Sequence, residues 1–228
     1  VNSGKKIAFT PEQINEFRNG GINDKWINDI YKSSAPQQSH NLSLSGGNDK
    51  TSVLFSFGYM NQNSLLVGPE YGLDRFNGRI NVEHQLTKKF KIGGNVAYTR
   101  NIVKDHAYWT DWILEQSLRM PPIYPVMIDG KYNYPSGSNS NALARLEVGG
   151  YRQTANDELS GILNGEYSIL EGLKLKAMVG GQLYNNRMHE NRQAIEGSGD
   201  QENHIQENSE RNLYMSSNTV LAYDKKIN

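Results

Sequence analysis

The sequence predicts an all-β chain, an antiparallel transmembrane β-barrel segment with short helices in its external loops. Three observations carry this. Apolar and polar residues alternate with period 2 in several separate stretches. The connections between those stretches alternate short and long. The composition has no segment suited to a membrane helix: mean hydropathy is −0.69, and no apolar run approaches the ~18 to 20 residues such a helix needs.

Composition narrows the classes further. The 228 residues hold 24 Lys+Arg against 24 Asp+Glu, so no excess of positive charge points to nucleic acid as a partner. Cys is absent, which removes disulfides, thiolate metal sites and cysteine nucleophiles. With 22 Gly, 13 Tyr and only 7 Pro, the balance leans toward strands joined by tight turns. The sequence opens at Val1 with neither an initiator Met nor a secretory signal, as expected of a mature chain or of a piece of a longer one.

Taken in order, Val1 to Gln38 reads as an external loop carrying a helix. Thr10, Pro11 and Glu12 make a helix start, Ile14 and Phe17 share a face, and Gly20-Gly21 stops it. Trp26 to Tyr31 reads as a second short turn. Residues 39–228 then supply about seven strands. Ser39 to Ser45 places Leu42 and Leu44 against Asn41 and Ser43. Thr51 to Met60 sets Val53, Phe55, Phe57 and Tyr59 against Ser52, Ser56 and Gly58. Next, Phe76, Ile80 and Val82 alternate with Arg75, Asn77, Arg79, Asn81 and Glu83. Phe90, Ile92, Val96 and Tyr98 oppose Lys89, Lys91, Asn95 and Thr99. Leu159, Leu163, Tyr167 and Ile169 oppose Ser160, Asn164 and Glu166, and Leu173, Leu175, Ala177, Val179 and Leu183 oppose Lys174, Lys176 and Gln182. Leu213 to Tyr223 is weaker, because Ser217 and Thr219 interrupt its apolar face.

The connections read short at 46–50, 86–88 and 170–172, and long at 61–74, 101–157 and 185–212. A soluble sandwich has no reason to gather every tight turn at one end, whereas an outer-membrane barrel has short periplasmic turns and long external loops. Gly-Gly-Asn-Asp and Leu-Glu-Gly-Leu are expected to supply the positive-φ positions of the turns. Within 101–157, Asp105 is expected to cap a helix running to Arg119, ended by Pro121-Pro122. Tyr108, Trp109, Trp112, Ile113 and Leu118 are its candidate packing side. Asp129-Gly130 reads as a β-turn, and Gly137 to Asn141 as a polar tip. The segment 185–212, with His189 and His204, reads as solvated and mobile.

No phosphate-binding GxxxxGK[ST], no GxGxxG and no HExxH is present, and the five His are scattered, so neither catalysis nor a metal or other cofactor is expected. Aromatic side chains are the one group that suggests a ligand. Tyr108, Trp109, Trp112, Tyr124, Tyr132 and Tyr134 cluster in the longest loop, where their flat faces suit sugar rings or, equally, the packing of the loop itself. Tyr59, Tyr98, Tyr167 and Tyr223 near strand ends fit an interfacial girdle. The polar face supplies the lumen candidates Arg75, Asn77, Arg79, Asn81, Glu83, Lys89, Lys91, Asn95, Glu166, Lys174 and Lys176.

Several runs resemble the SusC/RagA family of TonB-linked outer-membrane transporters of the Bacteroidota. They are Trp26-Ile27-Asn28-Asp29-Ile30-Tyr31-Lys32; Ala35-Pro36-Gln37-Gln38-Ser39-His40-Asn41-Leu42-Ser43-Leu44-Ser45-Gly46-Gly47; Gly58-Tyr59-Met60-Asn61-Gln62; Arg75 to Asn81; Leu118-Arg119-Met120-Pro121-Pro122; Asp129-Gly130-Lys131-Tyr132; and Leu170 to Leu175. They follow the family's order. One departure is Asn141-Ala142-Leu143-Ala144, where the family often has proline second, so a different bend is expected there. The resemblance implies a barrel of about 22 strands around an N-terminal plug, energised by TonB-ExbB-ExbD and lidded by a SusD-like lipoprotein that hands over oligosaccharides or peptides. The chain would then be an internal fragment without its plug, holding the end of the first external loop and strands two to eight, in the cell outer membrane. It would take part in the uptake of a glycan or peptide, with no nucleic acid involved. A surface-loop binding module without transport, and a soluble β-sandwich, are the alternatives.

Overall fold

The computed structural model describes residues 9–135, 141–199, 201 and 203–224. The expected polar tip at 137–140 lies outside them. Strands β1 (Gln37–Gly47), β2 (Thr51–Asn63), β3 (Gly72–Thr87), β4 (Phe90–His106), β7 (Gly150–Leu170), β8 (Leu173–Arg192) and β9 (His204–Tyr223) form one antiparallel sheet in chain order. Between β4 and β7 a separate two-residue hairpin joins β5 (Met127–Ile128) and β6 (Lys131–Tyr132). Asp129 and Gly130 both take positive φ, the geometry of a primed hairpin turn.

Register turns the alternation into two faces. Leu44 lies opposite Phe55, Phe55 opposite Ile80, Ile80 opposite Val96, Leu163 opposite Val179, and Leu183 opposite Leu213. Directly opposed residues project to the same side, so these residues build one apolar face. The face is bare: Leu163 is 66% exposed and Met215 is 71% exposed. Among the described residues no second sheet packs on it. A single layer with an uncovered apolar side does not satisfy the two-layer rule of water-soluble domains.

The short turns at 48–50, 88–89 and 171–172 share one end, and the connections 64–71, 107–149 and 193–203 share the other. Turn chemistry differs from expectation at the first. Gly46 and Gly47 belong to β1, and the Asn48 side chain closes the turn by accepting from the backbone N–H groups of Lys50 and Thr51 at 2.9 Å each. At 171–172, Gly172 takes the positive φ.

The strands also run further toward the long-loop end than alternation indicated. β4 continues through Asp105 and His106, β7 begins at Gly150, and the hairpin of β8 and β9 absorbs most of 185–212. His189 and Glu207 sit paired across it. This part of 185–212 is therefore paired strand. The sequence lost the signal because both faces of these distal parts are polar.

Among the described residues four helices accompany the sheet. Helix α1 (Pro11–Arg18) starts as expected, with Thr10 and Gln13 forming a capping box. Helix α2 spans Trp26–Asp29 and α3 spans Thr110–Arg119. Asp105 is not the cap of α3. It lies in β4, where its carboxylate accepts from the His106 N–H at 2.9 Å. Helix α4 (Ala142–Glu147) was not expected, and Asn141 caps it by accepting from the Ala144 N–H at 3.1 Å. The family's proline position thus falls at N1 of a helix, which accepts proline or alanine alike.

The buried core lies outside the sheet. Ile30, Leu66, Tyr71, Ala107, Tyr108, Ile113, Ala142, Ala144, Leu146 and Ile195 form one cluster, and Trp26, Val126 and Leu143 a second. Ala155 is the only buried apolar residue contributed by a strand among the described residues. The connections at one end therefore form a packed cap, while the strands stand as a bare wall.

Candidate functional site

Two surfaces can meet a ligand: the cap and the polar face of the wall. The cap is stitched by backbone and side-chain polar groups from distant segments. The Trp26 indole donates to the Tyr124 carbonyl at 2.8 Å, and the Val126 N–H donates to Asp24 at 2.9 Å. Tyr71 donates to the Leu146 carbonyl at 2.7 Å. Buried Asn141 donates to the carbonyls of Val126 at 2.8 Å and Asn133 at 3.0 Å while capping α4. Burial, with Asp105 nearby, pushes the Tyr71 phenol up, and burial with Glu147 does the same for Tyr132. Both hydroxyls therefore remain neutral donors at any ordinary pH.

Most of the loop aromatics make contacts within the cap. Tyr108 is buried, with the guanidinium groups of Arg145 and Arg192 4.3 and 4.9 Å from its ring centre. The Arg145 guanidinium also lies 3.9 Å from the Trp112 ring centre. Tyr132 donates to Glu147 at 2.8 Å, and Tyr134 donates to the Glu196 carbonyl at 3.3 Å. Tyr124 is half-buried beside Trp26. Trp109 differs: it is 68% exposed, with Arg152 5.3 Å from its ring. Leu118, at the far end of α3, is 70% exposed.

Beneath the aromatics lies a charge group that the sequence did not reveal. Glu190 is buried and accepts from Arg152 at 2.8 Å and from Arg192 at 3.0 Å, and Arg192 also donates to the Ala107 carbonyl at 3.1 Å. Register between β7 and β8 brings Arg152 opposite Glu190, whereas Arg192 follows Glu190 two residues on along β8 and shares its face, so only the Arg152 contact has no mark in the sequence.

On the wall, Arg75, Asn77, Arg79, Asn81, Glu83, Lys91, Asn95, Glu166, Lys174 and Lys176 all fall on the polar face by register. Lys89 lies in the turn before β4 instead. Toward the short-turn end the charges are matched: Lys91 meets Glu83 at 2.8 Å, and Lys174 and Lys176 meet Glu166 at 2.6 and 3.5 Å. Arg75 and Arg79 have no such partner among the described residues.

Two belts of rings bound the apolar face. Tyr59, Phe76 and Tyr98 stand at one level, with Tyr59 and Phe76 5.0 Å apart. Phe90 and Tyr167 stand at the other, 6.3 Å apart. From Phe90 to Tyr98 is about 26 Å along the strand at ~3.3 Å per residue. At the ~40° tilt of such strands that is roughly 20 Å across the membrane, comparable with the ~25 Å apolar band of outer-membrane barrels. Above the upper belt the same face turns polar, beginning with Asp74 and Asp157.

The wall and its cap match known barrels. The fold of the RagAB peptide importer in its "closed-closed" state superposes with a TM-score of 0.75 at 21% identity, over 90% of this chain and 24% of the matched chain. This chain has the fold of a SusC/RagA-type barrel segment. A second structure, described as the RagAB peptide transporter, gives 0.75 at 20% identity, and the "open-open" importer gives 0.73 at 21%, each over 90% of this chain and 24% of the other. The RagA-like sheet thus spans about a quarter of the chains it resembles. No protein-family model and no curated protein matches the sequence.

Proposed function

We propose that this chain is a wall-and-loop segment of a TonB-dependent outer-membrane importer that takes up oligosaccharides or peptides and works with a SusD-like surface lipoprotein. The observation that carries the reading is the division of the molecule. A single-layer sheet exposes one apolar face between two aromatic belts, and the packed core among the described residues caps one end. Lipid covers such a face without a second protein layer, since an unbroken antiparallel sheet satisfies its backbone polar groups internally.

In this reading the polar face borders the lumen, and Arg75, Asn77, Arg79, Asn81, Glu83, Lys91, Asn95, Glu166, Lys174 and Lys176 touch either plug or passing substrate. Lys89 marks the periplasmic rim. The exposed Trp109 and Leu118 offer a contact for the lipoprotein or for substrate held at the mouth, while the other loop aromatics stiffen the cap that presents them. The test uses the full-length parent protein in its native cells, with uptake of labelled oligopeptides and oligosaccharides measured with and without residues 107–149. Loss of uptake with the barrel still assembled supports the role of the loop, and unchanged uptake sinks it.

A further inference from the structure

We infer that Arg75 and Arg79 form a two-step anion-reading column on the polar wall, which makes acidic oligomers the substrate class of the importer proposed above. The inference rests on that reading, and its evidence is local. The two guanidinium groups leave β3 on the same face four residues apart, about 13 Å along the strand at ~3.3 Å per residue. Arg75 lies at the level of the upper aromatic belt, and Arg79 one step nearer the middle of the apolar band.

Their cross-strand neighbours are neutral. Met60 and Asn101 lie opposite Arg75, and Ser56 and Ala97 lie opposite Arg79. No carboxylate among the described residues comes within 4 Å of either. The same wall pairs its lysines nearer the short-turn end with Glu83 and Glu166; in the upper half the acid level with Asn77 on this face is Glu158, two strands away on β7 beyond Thr99, where it accepts from Gln182 at 2.7 Å. A hollow of about 330 Å³ opens between Ser56, Arg75, Asn77, Arg79 and Thr99.

Gly58 completes the surface. It is buried, and a Cβ there would come within 2.7 Å of the Asn77 amide oxygen and 2.8 Å of that of Asn41. Only glycine lets these two side chains lie flat across β2 at the level between the arginines. The column therefore offers guanidinium, amide, guanidinium in sequence, all of them donors. Guanidinium forks recognise carboxylate in bidentate fashion. A carboxylate-bearing chain entering at the mouth would meet Arg75 and then Arg79 without having to displace a resident acid.

The experiment follows uptake by cells carrying the full-length parent protein of four probes matched in length: a Glu-rich and a Ser-rich labelled oligopeptide, an oligogalacturonate and a neutral malto-oligosaccharide. For Arg75→Gln with Arg79→Gln, uptake of the acidic probe the parent accepts should fall about tenfold or more, as expected for loss of hydrogen bonds to a charged group, while uptake of its neutral counterpart stays within twofold. Arg75→Lys with Arg79→Lys should recover part of the acidic preference, because charge is kept and only the fork is lost. Equal loss for acidic and neutral probes, at normal barrel levels, would show that the arginines hold another segment of the parent chain and would overturn the inference. So would unchanged uptake of both. A wild-type parent that imports none of the four removes the importer reading itself, and this inference with it.

Discussion

The Tyr71 hydroxyl donates to the carbonyl of Leu146 at 2.7 Å and lies 3.1 Å from that of Gly150, so one side chain from the β2–β3 connection ties together the end of α4 and the start of β7. The cap cannot lift from the wall without breaking that bond. Tyr71→Phe keeps the ring and leaves the buried Leu146 carbonyl without its donor, at a cost of about 1 to 3 kcal/mol. Faster amide exchange in 142–150, with β1 to β3 unchanged, is the expected reading in the full-length protein. The alkaline limb adds a second check. The phenol's folded-state pKa is raised, so its contribution is whole below the ordinary phenol value of about 10. It is lost as pH rises from there toward the folded value. The cap should therefore loosen above about pH 10, and Tyr71→Phe should flatten that limb.

Asn141 does three jobs with one side chain: it caps α4 through its oxygen and holds the carbonyls of Val126 and Asn133 through its nitrogen. Asn141→Asp keeps the cap and removes both donors, whereas Asn141→Ala removes all three bonds. Both variants should expose 126–147 to limited proteolysis. Asp should be the worse of the two, because a buried carboxylate would then face two carbonyl oxygens.

Glu190→Ala strands Arg152 and Arg192 beneath the cap. Breaking a buried pair costs about 3 to 5 kcal/mol. Since the two arginine side chains keep 25% and 35% exposure, the lower end, about 3 kcal/mol, is expected. Removing Arg152 as well, as Arg152→Met, should restore part of the loss in a double-mutant cycle read by denaturant unfolding of the full-length barrel in detergent.

How much of this was legible follows from where water lies. Between the aromatic belts one face is apolar and the other polar, and there the alternation of Phe76 to Val82 or of Leu159 to Tyr167 identifies both strand and face. Beyond the upper belt both faces are polar, so Asn185 to Arg192 and His204 to Asn212 carry no alternation and read as loop. Asp105 misled for a related reason: an acidic residue ahead of an apolar run looks like a cap, but β4 had not yet ended. The Glu190–Arg152 contact depends on a register that sequence spacing does not encode, and the contacts of Arg145 with Tyr108 and Trp112 depend on the fold of the cap. Thr10, Pro11 and Asp129-Gly130, whose chemistry is local, were read directly.

The assignment of faces is itself testable with neighbouring residues. Leu163 lies on the apolar face of β7, opposite Gly94 and Val179, and Asn164 lies on the polar face, opposite Gly93 and Met178. If lipid covers the first, Leu163→Arg places a charge near mid-bilayer, at a cost of about 2 to 4 kcal/mol. Asn164→Arg adds one more cation to a solvated wall that already carries Lys91, Lys174 and Lys176, and should cost almost nothing. Urea unfolding of the full-length protein in lipid vesicles measures both. In detergent-free water a soluble sheet would treat Leu163→Arg as a gain in solubility, since Leu163 is 66% exposed. The sign of that single substitution therefore separates a wall in a membrane from a sheet in water, and a larger penalty for Asn164→Arg would mean that the faces are reversed.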